Sequence, residues 1–228
     1  MNELQIVRCQ DGSQTIYDHR LRESYHSLHG AREESLYVYI QNGLTKWWLK
    51  HGQQADSIRV FEVGFGTGLN VLLAEKWAAQ MNVKIELVSV ELWPLSLDLV
   101  TQLDWLAYGI ETAQAQRLHQ ALPNVWVASS KHLSFYKIYA DFTQEDLSEE
   151  FQNSFDVLFY DAFAPRKQPS IWQQAVLQKA FRLLRQGGLL STYTAQGRFR
   201  RDLSAVGFEV EKLKGAVNKK EMTCAWRF

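Results

Sequence analysis

The chain has 228 residues, 46% of them hydrophobic, enough for one large α/β domain with a small extension and a substantial core. It has no run of about eighteen apolar residues and no basic-then-apolar start, so no membrane span or leader is expected and the location expected is cytoplasmic; Cys9 and Cys224 are too few and too far apart for a zinc knuckle or a disulfide framework, and no metal is expected. The net charge is zero, but residues 151–228 hold 13 Lys and Arg against 6 Asp and Glu, whereas residues 1–150 hold 12 against 19; the basic third suits a polyanion, or else consists of solvated helix faces.

Residues 1–55 read as an N-terminal extension packing on the core. Gln14-Thr15-Ile16-Tyr17 has the texture of a short strand. The polar, aromatic stretch 25–34 resembles a lid loop, with Tyr25 a candidate substrate contact and His26 and His29 ordinary surface or capping histidines. A helix begins near Glu34, with Leu36, Ile40, Leu44, Trp47 and Trp48 along one apolar face.

Residues 56–228 form the main domain. A buried strand at 58–63 runs into Gly64-Phe65-Gly66-Thr67-Gly68 and then a helix at 69–80. A strand that turns sharply into a helix requires glycine, and bare main chain lets a ligand come within touching distance. The spacing is not that of a dinucleotide loop: Gly68 follows Gly66 by two positions, and Glu62 stands two before the first glycine. Pyrophosphate favours bare N–H groups at a helix start, whereas a carboxylate at a strand end suits ammonium or hydroxyl donors. S-adenosylmethionine offers an ammonium, a ribose and a sulfonium, and no phosphate. Glu62, Gly64, Phe65, Gly66, Thr67, Gly68 and Asn70 are therefore candidate contacts for it; a purely structural tight turn is the plainer alternative.

The next strand, 83–90, ends in Glu91, placed to accept ribose hydroxyls. Helices are expected at 94–103 and 104–122, then a hairpin of 125–128 with 133–140 leading to Asp141, a candidate for the adenine amino group. A buried strand at 155–161 ends in Asp161, a helix spans 170–184, a strand 189–194, a helix 197–206, and segments 208–212 and 222–228 pair as a closing antiparallel hairpin. The βαβα alternation implies an α/β, Rossmann-like fold with a mostly parallel sheet and helices on both faces, so that Glu62, Glu91, Asp141 and Asp161 face one crevice.

Asp161-Ala162-Phe163-Ala164-Pro165 is the stretch suited to chemistry. A carboxylate held in a loop stiffened by an aromatic and a proline accepts a hydrogen bond from an amine and aims its lone pair at a sulfonium methyl; a strand-end cap is the bland reading. Around it, Lys167, Arg200, Arg201, Lys219 and Lys220 are candidate phosphate contacts, with Phe163 and Trp172 able to stack on a base.

These blocks resemble a family, the MnmC-type tRNA wobble-uridine methyltransferases in their stand-alone form. The resemblance rests on Phe65-Gly66-Thr67-Gly68-Leu69-Asn70, on Asp161 to Pro165 with Pro169 and Trp172, on Tyr25-His26-Ser27, and on Lys219-Lys220-Glu221-Met222. It implies a class I S-adenosylmethionine-dependent methyltransferase that methylates the 5-aminomethyl group of a (2-thio)uridine in the anticodon stem-loop, with Asp161 orienting the amine and a separate enzyme making it. Where many fused relatives carry glycine, this chain has Ala162. A small-amine, polyamine-like alkyltransferase is the alternative enzyme reading.

Overall fold

The computed structural model describes residues 3–52, 55–216 and 219–228. Three short antiparallel strands open the chain, β1 (Leu4–Arg8), β2 (Gln14–Asp18) and β3 (Glu23–Ser24), in a sheet of their own. Only β2 is predicted from sequence: β1 has five residues of mixed polarity and is a strand because each of them pairs with β2, from Leu4 opposite Asp18 to Arg8 opposite Gln14. A helical segment follows, α1 (Ala31–Ser35), which becomes π-wound over Leu36–Thr45 and again over Trp48–Gly52. The predicted apolar face is largely the buried one, with Ile40, Leu44, Trp47 and Trp48 all buried; Leu36 is only half-buried, and the wider turn adds Val38 and Tyr39 to the core.

The main sheet is built from β4 (Ser57–Val63), β5 (Lys84–Glu91), β6 (Trp126–Ala128), β7 (Leu133–Tyr139), β8 (Phe155–Tyr160), β9 (Leu184–Thr192), β10 (Glu209–Lys214) and β11 (Glu221–Trp226). Its order is β10-β11-β9-β8-β4-β5-β7-β6. The run from β9 to β7 is parallel, while β11, β10 and β6 each join antiparallel, so the expected C-terminal hairpin and the 125–140 hairpin are both present. Between the strands lie α2 (Leu69–Met81), α3 (Leu97–Gln102), α4 (Thr112–Gln120), α5 (Gln174–Leu183) and α6 (Gly197–Ala205). Side chains alternate across the sheet: Val60, Leu87 and Phe159 pack with the 31–52 helix, α2 and α4, whereas Phe61, Val88 and Leu158 pack with α5 and α6.

Three sequence expectations need correction. The helix expected at 104–122 breaks into a single 3₁₀ turn, Trp105–Tyr108, and α4, because Gly109 is left-handed (φ 68°). The helix expected from 170 begins as a 3₁₀ turn at Pro169–Trp172, because Gln173 is extended (φ −75°, ψ 150°) and separates that turn from α5. The strand expected at 189–194 starts five residues earlier, at Leu184, which pairs with Phe155.

Two buried cations hold layers together. Lys137, 1% exposed, donates from Nζ to the carbonyls of Leu118 (3.1 Å) and His119 (2.8 Å), satisfying the C-terminal end of α4; burial pushes its ammonium down to about 8. Arg200 on α6 is 7% exposed and clamps β11, donating to Thr223 Oγ1 (3.0 Å), the Met222 carbonyl (2.9 Å) and Glu221 Oε2 (2.5 Å). Arg200→Met is expected to lower stability by about 2–3 kcal/mol in urea denaturation, because charge-assisted bonds inside the α6–β11 layer are lost.

Candidate active site

The strand order reverses direction between β4 and β8, since β5 follows β4 on one side and β8 lies on the other. A crevice opens at such a point, outside the carboxyl ends of the strands. Here the ends are laced by main chain: Gly64 N–H donates to the Val90 carbonyl (3.0 Å) and Asp161 N–H to the Val63 carbonyl (2.9 Å). Gly64 has φ 93°, and a Cβ added there would lie 2.4 Å from the Asp161 carbonyl oxygen, so only glycine fits. A cleft of ≈ 350 Å³ occupies this point, within the range of small-ligand pockets.

Asp161 stands at the centre. Its carboxylate accepts from Tyr39 Oη (2.6 Å) and Asn70 Nδ2 (2.7 Å), each on a different oxygen, and it lines the cleft. Burial raises its pKa to about 7 although both hydrogen bonds oppose the shift. Glu91 accepts from Gly66 N–H (2.8 Å) and Trp93 N–H (2.7 Å), and burial raises its pKa as well. Asp141 accepts from Thr143 N–H (2.8 Å) and also lines the cleft. Glu62 lies differently. It is fully buried behind the wall, where Ser89 Oγ donates to it at 2.5 Å, its other oxygen has no partner, and desolvation holds it well above the ordinary carboxylate range.

The glycine loop is fixed from both sides. His119 Nε2 meets the Thr67 carbonyl at 2.9 Å, and burial pushes that imidazole down to about 4, so it is neutral and donates. On the other side Tyr25 covers Gly66, where a Cβ would come within 3.0 Å of its ring. Tyr25 also packs edge-on against Phe163, with centroids 5.0 Å apart. His26, expected at the surface, instead lines the cleft; its Nδ1 pairs with Thr15 Oγ1 (3.0 Å) and burial pushes it down to about 4. Phe65, Thr67 and Asn70 line the cleft, whereas Gly68 lies beneath it against the Phe65 ring.

The predicted substrate contacts divide. Tyr25, Phe163 and Lys219 line the cleft. Arg200 is corrected by its burial: its guanidinium is committed to β11 and offers nothing to phosphate. Trp172 is 6% exposed, with Nε1 donating to the Phe163 carbonyl (2.8 Å); it braces the loop and presents no stacking face in the cleft. Lys167 donates to the Leu21 carbonyl (2.7 Å), tying the same loop to the N-terminal sheet, and Pro165 lines a separate groove with Arg166 and Arg198. Arg201 and Lys220 are exposed.

Sequence reasoning missed three residues that line or support the cleft. Tyr193 lies just beyond β9 and donates to the Ala162 carbonyl (2.8 Å); the strand-end rule used for the acids points to it equally. Glu34 accepts from Ser27 N–H (2.8 Å) and forms an ion pair with Lys219. Tyr39 carried no local signal.

Among the described residues five carboxylates line the cleft (Glu23, Glu34, Glu91, Asp141 and Asp161) against one lysine; Glu23 is paired with Arg166 and Glu34 with Lys219, and the remaining acids favour a cation over pyrophosphate. The buried Asn70 Oδ1 has no hydrogen-bond partner among the described residues, and its amide lies between Asp161 and the buried Glu62.

A family model described as S-adenosyl-L-methionine-dependent methyltransferase matches residues 112–227, just over half of the chain. The chain is 30% identical over 241 residues to the tRNA 5-methylaminomethyl-2-thiouridine biosynthesis bifunctional protein MnmC of Actinobacillus pleuropneumoniae serotype 5b, a match covering 97% of this chain and 35% of that protein. With the protein of the same name from Ralstonia nicotianae it shares 34% identity over 225 residues, 92% of this chain and 33% of the relative. It thus spans about a third of the length of these curated relatives. Among solved structures, MnmC2 from Aquifex aeolicus shares the fold with a TM-score of 0.77 at 24% identity, over 98% of this chain and 70% of that one. Spermidine synthase from Thermotoga maritima does so at 0.58 and 13%, over 98% and 68%.

Two outcomes are expected. Gly64→Ala combines a disfavoured φ with main-chain overlap and should cost at least about 2 kcal/mol in denaturant unfolding. Asp161 has a folded-state pKa above its unfolded value, so its stabilising contribution is complete below the unfolded carboxylate pKa and is lost as pH rises to about 7. Asp161→Asn should therefore gain stability relative to wild type as pH rises from 4 to 8, measured as the difference between the two unfolding curves.

Proposed function

Because the chain belongs to the S-adenosyl-L-methionine-dependent methyltransferase family, we propose that it methylates the 5-aminomethyl nitrogen of a tRNA wobble (2-thio)uridine, giving the 5-methylaminomethyl form. The observation that carries this reading is the Asp161 carboxylate, held by Tyr39 and Asn70 in the wall of an acid-lined cleft with a pKa of about 7.

Bound S-adenosylmethionine supplies a methyl group on a sulfonium, a carbon electrophile. The residues present fit it: Asn70 Oδ1 suits its ammonium, Glu91 its ribose hydroxyls and Asp141 its adenine amino group, while the Gly64–Gly66 main chain admits it closely. An alkylamine is protonated near neutrality and must lose that proton to be a nucleophile. With one oxygen on Tyr39 and the other on Asn70, Asp161 keeps a free lone pair on each. A base with a pKa near the working pH accepts the ammonium proton and keeps the amine aimed.

The substrate half of the reading follows the relatives, whose printed names place them in tRNA 5-methylaminomethyl-2-thiouridine biosynthesis. A base must leave its stack to enter a cleft of this depth. The exposed Arg198, Arg201 and Lys220 are suited to the phosphates of an anticodon stem-loop. The acceptor amine is the product of a separate amine-forming activity. Among the described residues no helix is long and apolar enough to cross a membrane, and we place the enzyme in the cytoplasm with its tRNA. A second reading, alkylation of a free polyamine-like amine, is favoured by Glu23 and Glu34, two further carboxylates on the lid side of the cleft.

Methyl incorporation into aminomethylated tRNA against free polyamine separates the two readings: tRNA should be the acceptor, and methylated polyamine alone would overturn the first. Asp161→Asn should lower turnover by roughly 10²–10⁴-fold with calorimetric binding of S-adenosylmethionine retained. In the wild type kcat/KM should rise with pH through about 7 as Asp161 ionises, and the variant should lack that limb. Replacing Arg201 and Lys220 together by alanine should flatten the dependence of log K on log salt by roughly 1.5.

A further inference from the structure

Glu34 and Lys219 have no part in the methyl transfer proposed above. Glu34 comes from α1 and Lys219 from the turn between β10 and β11, 185 positions away, yet they form an ion pair on the cleft wall. The turn sets Lys219 in place through its own N–H to the Ala216 carbonyl (2.7 Å) and Gly215 N–H to the Lys220 carbonyl (3.2 Å). The ammonium lies 4.5 Å from the centroid of the Tyr193 ring, and the charges of both residues act on Asp161. Neither group is saturated. Lys219 has three donors and spends one on Glu34; Glu34 accepts from Lys219 and from Ser27 N–H and has lone pairs to spare.

We infer that this pair reads the Watson–Crick edge of the acceptor base, Lys219 donating to the uracil O4 and Glu34 accepting from N3–H. The inference rests on the function proposed above and deepens it. In a 5-aminomethyluracil the C4 carbonyl adjoins the carbon bearing the aminomethyl group, and N3–H is next along the edge. A donor beside the carboxylate that takes the amine therefore meets O4, and an acceptor paired with that donor meets N3–H. Cytosine reverses both positions, with an amino group at C4 and a bare N3, so the same pair rejects it with two unsatisfied contacts. Phe163, Tyr25 and Tyr193 supply ring surface for the flat base in the same cleft.

The competing account is a latch that only ties the lid to the C-terminal hairpin. Anticodon stem-loops carrying 5-aminomethyluridine or 5-aminomethylcytidine at the wobble position separate the two. Wild type should prefer the uridine substrate in kcat/KM, and Lys219→Met should shrink that preference by roughly 10–100-fold. The exchange Glu34→Lys with Lys219→Glu keeps an ion pair and inverts the donor pattern, so it should shift the preference towards cytidine. Full activity of the exchanged protein with the uridine preference intact would make the pair a latch and overturn the inference. If the exchanged protein does not fold by circular dichroism, an unchanged preference in Lys219→Met overturns it equally. Equal methylation of both substrates by wild type removes base reading and leaves the proposed methyl transfer standing, whereas methylation of neither removes the proposed function itself.

Discussion

The main-chain junction between β4 and β8 is the constraint from which the site follows. Loops that leave neighbouring parallel strands for opposite sides of a sheet part at the carboxyl ends, and here Asp161 N–H on the Val63 carbonyl and Gly64 pressed against the Asp161 carbonyl hold the two strand ends together. Any Cβ at position 64 would force the two strand ends apart. Because they stay together, the glycine loop and the Asp161 carboxylate have a fixed relation, and the cleft has one shape.

Acid groups in and behind the wall of that cleft carry an electrostatic cost, visible in the raised pKa values of Glu62, Glu91 and Asp161, each dominated by desolvation. The protein moderates the cost with single, well-placed donors: Ser89 on Glu62, two main-chain N–H groups on Glu91, Tyr39 and Asn70 on Asp161. Cationic partners are kept to the lid side, Arg166 on Glu23 and Lys219 on Glu34, and the hydrogen bonds to these three acids all come from uncharged donors. Stability is given up at a place where a charged ligand restores it.

The first fifty residues are part of this site and more than a cover for it. The π-wound helix carries Tyr39 to Asp161, the loop before it carries Tyr25 onto Gly66 and His26 into the wall, and Glu34 reaches the C-terminal hairpin. On the opposite side, buried Lys137 closes the end of α4, and α4 presents His119 to the Thr67 carbonyl. The loop is thus clamped by the N-terminal segment on one side and by mid-chain elements on the other.

Alternating glycines after a branched strand, and acids that close the stretches 83–91 and 155–161, are local patterns, so the parallel sheet and the places of Glu91 and Asp161 were legible in the amino-acid order alone. Local patterns do not say which way a helix face turns. An α-helical period picks out Ile40, Leu44, Trp47 and Trp48 correctly but puts Leu36 in the core and leaves out Tyr39, which the π-winding brings inward. Arg200 and Trp172 had the composition of surface contacts but are buried, since α6 packs on β11 and the 169–172 turn folds over Tyr160 and Phe199. Lys219 read as an outer phosphate ligand and points inward to Glu34, 185 residues away. Sequence fixes what each residue can bond; only the packing of distant segments decides which partner is within 3 Å and whether water competes for it.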